Sequence, residues 1–365
     1  MWTVAPSRPV GRRLLGRRGV LGSLAAAGLA GTVPLGAGPA AAQGTNTGTV
    51  LDPGLIRRAV EQAAGLDQLH SLIVARGGEI AVAETFRGPP VDRPVNVKSV
   101  SKTIVATLTG IAIDRGVIPG GIEAAVARPV AALLGDLVPA DADPRVREIT
   151  LGDLLTMQAG LERTSGANYG LWVASRDWVR HALTRPFVAE PGTRMQYSTG
   201  SFHLLGVALA RAAGDSLLTL ARDWLGEPLD IAVPAWTRDP QGFYLGGNNM
   251  ALSPMALYRF GEAWRQGGTW QGTRVVGRDW IDAAWTARTR SPWSGDLYGY
   301  GWFLSDIAGR PIAYARGYGG QMLFVMPSLG LTVAVTSDPT RPARSDGHVG
   351  AIRDLLAETI VPAAA

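Results

Sequence analysis

Apolar residues at Leu55, Ile56, Val60 and Ala63 recur at the spacing of one helix face, and Gly65 closes the run, which predicts a helix over 53–65. The period then changes. Ser71 to Ala75 and Glu79 to Phe86 are two β-like runs separated by Arg76-Gly77-Gly78, the pattern of a hairpin. Ser99 to Ile113 is apolar on nearly every side and ends near Gly116, as a buried helix would. From about 120 to 265 helical segments alternate with turns. Thr150 caps one start at Ile149–Leu155, Glu190-Pro191-Gly192-Thr193 is a turn, and Ser201 to Ala213 is apolar at helical spacing. Strands return at Tyr300 to Leu304, Pro311 to Ala315, Met322 to Met326 and Leu331 to Thr336, before a closing helix from Val349 to Ile360. Strand-forming segments thus stand at both ends of the sequence and helices between them. The expected architecture is α+β: an α/β lobe from residues 43–120 and 266–365, and a helical lobe from 121–265.

The first 42 residues read differently. Arg17-Arg18-Gly19-Val20-Leu21 is a twin-arginine pattern, Arg12-Arg13 is a second pair, and Ala40-Ala41-Ala42 is a small-residue cleavage site. Gly28, Gly31, Pro34, Gly36 and Gly38 interrupt the apolar stretch between them, against a stable membrane anchor. The expectation is twin-arginine export and cleavage near Ala42, leaving a soluble periplasmic or secreted protein.

Charge and composition narrow the chemistry. The 365 residues are 46% hydrophobic and 18% charged, enough for a large core. The net charge of +5 is matched by the five arginines of residues 1–42, so the remainder is near neutral and no nucleic-acid partner is expected. With no cysteine, disulfides, thiolate metal sites and a cysteine nucleophile are excluded. Four scattered histidines and no HExxH give no reason to expect a metal, and nothing calls for a cofactor.

Of 35 basic residues only Lys98 and Lys102 are lysine. Where arginine serves for positive charge in general, a retained lysine suggests a task that needs proton loss, which arginine cannot perform. Lys98 reads as a surface residue. Lys102 lies inside the apolar run, and Ser99 precedes it by three positions, so a shared helix face would bring hydroxyl and amine together. Ser101, adjacent to Lys102, would project elsewhere.

Val97-Lys98-Ser99-Val100-Ser101-Lys102-Thr103 resembles the nucleophile motif of the serine β-lactamase and penicillin-binding-protein superfamily, especially its class C and esterase-like branch. Ile149 to Leu161 resembles that branch's helical segment, Pro191 to Ser198 the approach to its Tyr-x-Asn motif, and Arg316-Gly317-Tyr318-Gly319-Gly320-Gln321 its Lys-Thr-Gly strand. The resemblance implies an antiparallel sheet flanked by helices, an all-helical lobe, and a site between them. It implies that Ser99 forms an acyl-enzyme, that Lys102 and Tyr197 share the proton transfers, and that the backbone N–H groups of Ser99 and Gly320 form the oxyanion hole.

Two positions depart from the pattern. Thr199 stands where the second motif has asparagine, and Gly317 stands where the third motif has its cation. Arg316, one place earlier on a strand, is expected to face away. Efficient β-lactamase activity is therefore not expected. A nearer likeness is to 6-aminohexanoate-dimer hydrolases and related carboxylesterases, carried by Asn168 to Trp178, Gly247 to Pro254 and Gly317 to Gln321. It implies small esters or amides as substrates, with Tyr169 reaching a leaving amine and Tyr318 shaping a pocket alongside Thr199, Gly317 and Gly319. Alternatives are a β-lactamase or D-alanyl-D-alanine carboxypeptidase, a non-catalytic binding or scaffold protein on the same fold, and a Ser-His-Asp hydrolase. The last finds no Gly-x-Ser-x-Gly in the mature region, and His203 on an apolar helix reads as a core residue.

Overall fold

The structure, a computed structural model, describes residues 2–4 and 50–365. The expected export signal and the start of the linker after it lie outside the described residues, apart from Trp2–Val4. Those three make contacts: the Trp2 indole donates to Ser305 O (2.9 Å), Ala287 N–H donates to Thr3 O (2.8 Å), and Val4 bridges to Ala287. Cleavage near Ala42 would remove them.

Eight antiparallel strands form the main sheet: β1 (Leu69–Arg76), β2 (Glu79–Thr85), β3 (Thr289–Arg290), β4 (Leu297–Tyr298), β5 (Phe303–Ile307), β6 (Arg310–Gly317), β7 (Gln321–Met326) and β8 (Leu331–Ser337). Their spatial order is β2-β1-β8-β7-β6-β5-β4-β3, so the N-terminal hairpin docks on the last strand of the chain. Every residue of β7 and β8 is buried, as in central strands covered on both faces, whereas β2 at the edge buries only Val82.

Five helices matter for the site and its support: α1 (Pro53–Gly65), α2 (Val100–Asp114), α3 (Thr199–Ala213), α4 (Pro254–Arg265) and α5 (His348–Leu355). Helix α4 packs on β1, β7 and β8, and α1 packs on β1 and the closing helical segment. Helix α2 is buried from Val100 to Ile113 because it lies between β6 and β7 on one side and α3 on the other, which explains its apolar circumference. Helix α3 is the hub of the helical region, against Ala131–Leu134, Leu151–Leu155, Trp178–Leu183 and Leu217–Ala221. Among the described residues no single helix is long and apolar enough to cross a membrane.

Two sequence expectations shift. The strand expected from Tyr300 begins at Phe303, because Gly301 takes a left-handed φ of 75° and its carbonyl accepts the Thr103 hydroxyl (2.7 Å). The closing helix is not uniform: α5 is followed by a wider π turn over Leu356–Ile360 and a short helix over Val361–Ala363.

Candidate active site

Ser99 is the residue before α2, at the helix N-terminus, and is only half-buried. Lys98 ahead of it is held at a left-handed φ of 51°, uncommon for a side-chain-bearing residue. Its backbone is tied on both sides: Lys98 N–H donates to Asn96 Oδ1 (2.9 Å) and Ser101 Oγ donates to Lys98 O (2.5 Å). Ser101 Oγ in turn accepts Met250 N–H (3.1 Å), so this second serine is a brace and not part of the reactive pair.

Lys102 is 1% exposed, and its Nζ lies 2.9 Å from Ser99 Oγ. It also donates to Gly247 O (2.5 Å) and Thr199 Oγ1 (3.3 Å). No carboxylate pairs with it among the described residues, and burial lowers its pKa from 10.5 to about 7. A neutral amine has two N–H donors and one lone pair. Gly247 O and Thr199 Oγ1 take the donors, which leaves the lone pair for the Ser99 hydroxyl. Thr199, at the position of the missing asparagine, thus helps to orient the amine.

Gly247 reaches Lys102 because it has no side chain. A Cβ there would lie 2.7 Å from Thr199 O, and one on Gly246 would lie 2.2 Å from Phe202 O, so this segment rests directly on the α3 backbone. The loop leading to it is anchored by the fully buried contact of His203 Nε2 with Asp239 Oδ2 (3.0 Å). His203 also lies edge-on to Trp172 and Trp178, and its Nδ1 has no partner, so it belongs to no catalytic triad.

The Tyr197 hydroxyl is hydrogen-bonded to Ser99, and its ring centre is 5.0 Å from Lys102 Nζ. Burial raises its pKa, opposed by the Ser99 bond and the charge of Arg316. Here one expectation is corrected. Arg316 lines the cleft with Ser99 and Tyr197, and its guanidinium lies 4.6 Å over the Phe303 ring, which itself stacks on Tyr197. Its cross-strand partner Met322 lines the cleft as well, so this face of β6 is the one turned toward the site.

The turn after β6 supplies the facing wall. A Cβ on Gly317 would lie 2.4 Å from Val97 O, so β6 ends directly against the segment carrying Ser99. Gly320 does not serve as expected: its N–H turns back to Gly317 O (3.3 Å), it does not line the cleft, and a Cβ there would meet His348. Because Gly317 O points into the turn, the N–H on the other side of that peptide, at Tyr318, points out of it. Neither Ser99 N–H nor Tyr318 N–H has a hydrogen-bond partner among the described residues.

Three side chains hold this turn from behind. Gln321 Nε2 donates to Tyr318 O (3.4 Å), Gln68 Nε2 to Gly319 O (3.2 Å), and Ser337 Oγ to Gly320 O (3.1 Å). Since Ser337 spends its only proton there, it accepts from His348 Nε2 (3.0 Å); this buried serine–histidine pair is a brace closed off from the cleft. Gln68→Leu is expected to lower kcat about tenfold with little change in KM, by loosening the turn. Steady-state kinetics on a short ester checks this.

The cleft has a volume of about 1010 Å³ and includes Ser99, Tyr197, Thr199, Gly317, Tyr318 and Gly319. Tyr169 also lines it, its hydroxyl accepting Asn248 Nδ2 (3.2 Å). Sequence reasoning missed Gly247, a backbone contributor, and Arg163, Trp293 and Arg344, which reach the cleft from loops without periodic or spacing signals.

Comparison with known proteins gives the family and the fold. The family model described as Beta-lactamase matches residues 57–357. No curated protein matches the sequence. Similar solved structures include a Bacillus anthracis protein assigned as a 6-aminohexanoate-dimer hydrolase, with TM-score 0.67 and 14% identity over 84% of this chain and 81% of that one. EstCE1, a hydrolase with promiscuous acyltransferase activity, aligns with TM-score 0.67 and 18% identity over 83% of this chain and 98% of its own. A D-stereospecific amidohydrolase from Streptomyces sp. aligns with TM-score 0.64 and 18% identity over 84% and 99%. At these identities the likeness is one of fold.

Proposed function

The chain belongs to the beta-lactamase family, and from that premise we propose that it is an exported serine hydrolase acting on small esters or amides through a Ser99 acyl-enzyme. The observation that carries the proposal is the 2.9 Å contact between Ser99 Oγ and a buried Lys102 whose other polar neighbours take up its N–H groups.

The neutral Lys102 amine takes the Ser99 proton as Oγ attacks the substrate carbonyl carbon. The tetrahedral oxyanion is held by the N–H groups of Ser99 and Tyr318, the former at a helix N-terminus that favours negative charge. Tyr197, bonded to Ser99, passes a proton to the departing alcohol or amine. Tyr197, left without its proton, takes one from the incoming water as its oxygen attacks the acyl carbon, and Lys102 returns its proton to Ser99 Oγ as the acyl bond breaks. Thr199 and Gly247 O hold the Lys102 nitrogen against Ser99, its lone pair toward the hydroxyl before attack and its third N–H toward Oγ after it.

A fluorophosphonate probe is expected to label the wild-type protein once per chain, and Ser99→Ala to abolish labelling. An unlabelled wild type would favour a binding or scaffold role. A rate panel of p-nitrophenyl butyrate, nitrocefin, a D-alanyl peptide and an aminohexanoate dimer then separates the activities. The short ester is expected to be turned over fastest. A decisive lead for nitrocefin or the D-alanyl peptide would replace the esterase reading with a lactamase or carboxypeptidase one.

A further inference from the structure

The polar side chains around the cleft are unbalanced in charge. Lys98, Arg163, Arg316 and Arg344 line it, and no aspartate or glutamate does. None of the four is in an ion pair among the described residues, although eight other arginines are.

 One of these, Arg145, bridges both Asp143 and Glu190. In a chain with this many pairing opportunities, an unneutralised set around one cleft is a local feature.

Two of the four share a support. The Arg163 guanidinium lies 5.1 Å from the centre of the Trp293 ring, and Arg344 Nη2 donates to Trp293 O. Trp293 is itself 39% exposed at the cleft, so it presents an apolar face between two cationic groups. Arg163 is half-buried and keeps most of its five donors free for a ligand.

We propose that the cleft selects substrates by charge, with Arg163 and Arg344 flanking Trp293 as a subsite for a carboxylate on the ester or amide, and that it disfavours substrates ending in an ammonium group. This rests on the hydrolase reading above and adds the substrate class. A cationic chain end, such as that of an aminohexanoate dimer, finds no carboxylate in the cleft wall and faces like charges.

Three p-nitrophenyl esters of one chain length provide the test: the adipate half-ester, the hexanoate and the 6-aminohexanoate. The expected order of kcat/KM is anionic, neutral, cationic, with about 100-fold between the ends at low salt and less at high salt. The double variant Arg163→Gln/Arg344→Gln is expected to shrink the anionic-to-cationic ratio about tenfold, and Arg163→Lys to preserve most of it. A flat or reversed order, or a ratio untouched by the double variant, overturns the proposal.

Adipate binding to the Ser99→Ala protein by calorimetry separates this from the hydrolase reading, because it needs no turnover. Binding of adipate but not adipamide, lost in the double variant, supports the subsite even if no ester is hydrolysed. Ser99-dependent hydrolysis with no charge preference and no adipate binding leaves the hydrolase standing and removes the subsite.

Discussion

Replacing Lys102 with methionine is expected to lower Ser99-dependent hydrolysis by about 10³-fold while making the protein more stable at pH 7. The two effects have one cause. Burial moves the amine's pKa from 10.5 to about 7. The unfolded chain therefore binds a proton as pH falls through about 10, whereas the native protein binds it only near 7 and below. The native state loses stability across that window, and the loss is complete below it. At about 1.4 kcal/mol per tenfold change in acidity, the penalty is on the order of 5 kcal/mol at full extent. Methionine fills similar space without a charge. Leaving Gly247 O without its partner costs part of the gain, about 1–3 kcal/mol, while Thr199 Oγ1 keeps its hydrogen bond with Ser165 Oγ (2.9 Å). Chemical denaturation from pH 6 to 10 checks the result: the wild type is expected to gain on the variant as pH rises. A variant less stable than wild type throughout would mean that Lys102 stabilises the fold and is not held there against its solvation.

Gly317→Ala is expected to lower kcat on a short ester about 10²-fold. The new Cβ would lie 2.4 Å from Val97 O and 2.9 Å from Lys98 Cβ, both close to backbone and unable to yield as a flexible side-chain tip would. Strand β6 is paired on both edges, so the strain is relieved by parting the turn from the Ser99 segment. That separates the Tyr318 N–H from the oxyanion. Steady-state kinetics checks it, together with the affinity of a boronate that mimics the tetrahedral state. Both are expected to weaken in parallel, with circular dichroism unchanged. Wild-type kcat would remove Tyr318 from the oxyanion hole.

The order of elements was legible in the sequence because the decisive stretches carry strong period. The apolar run after Ser99, the Arg76-Gly77-Gly78 turn and the strands around Met322 and Leu331 each signal their state locally. The reactive pair was legible for a different reason: a chain that otherwise uses arginine keeps a lysine three residues after a serine. Contacts that depend on distant loops were not legible. Gly247 O joins Lys102 across a sequence separation of 145 residues, and no local pattern marks a carbonyl. The two-residue strands Thr289–Arg290 and Leu297–Tyr298 are too short to alternate. Gly320 and Arg316 were misplaced because a motif gives register along a strand but neither the direction of a peptide plane in the turn after it nor which face of the strand meets the site. The helix start expected at Ile149–Leu155 forms over Leu151–Leu155, with Thr150 as its cap in a capping box with Asp153.

The central claim is that Lys102 is an uncharged base at the pH where the protein works. The pH dependence of the second-order rate of Ser99 labelling by a fluorophosphonate tests it most directly, since this step has no separate substrate titration. The rate is expected to rise about tenfold per pH unit below an inflection near 7 and then to level off through pH 9. A rate that is flat from pH 5 to 9, or one still rising at about pH 10 where an ordinary lysine titrates, would contradict it.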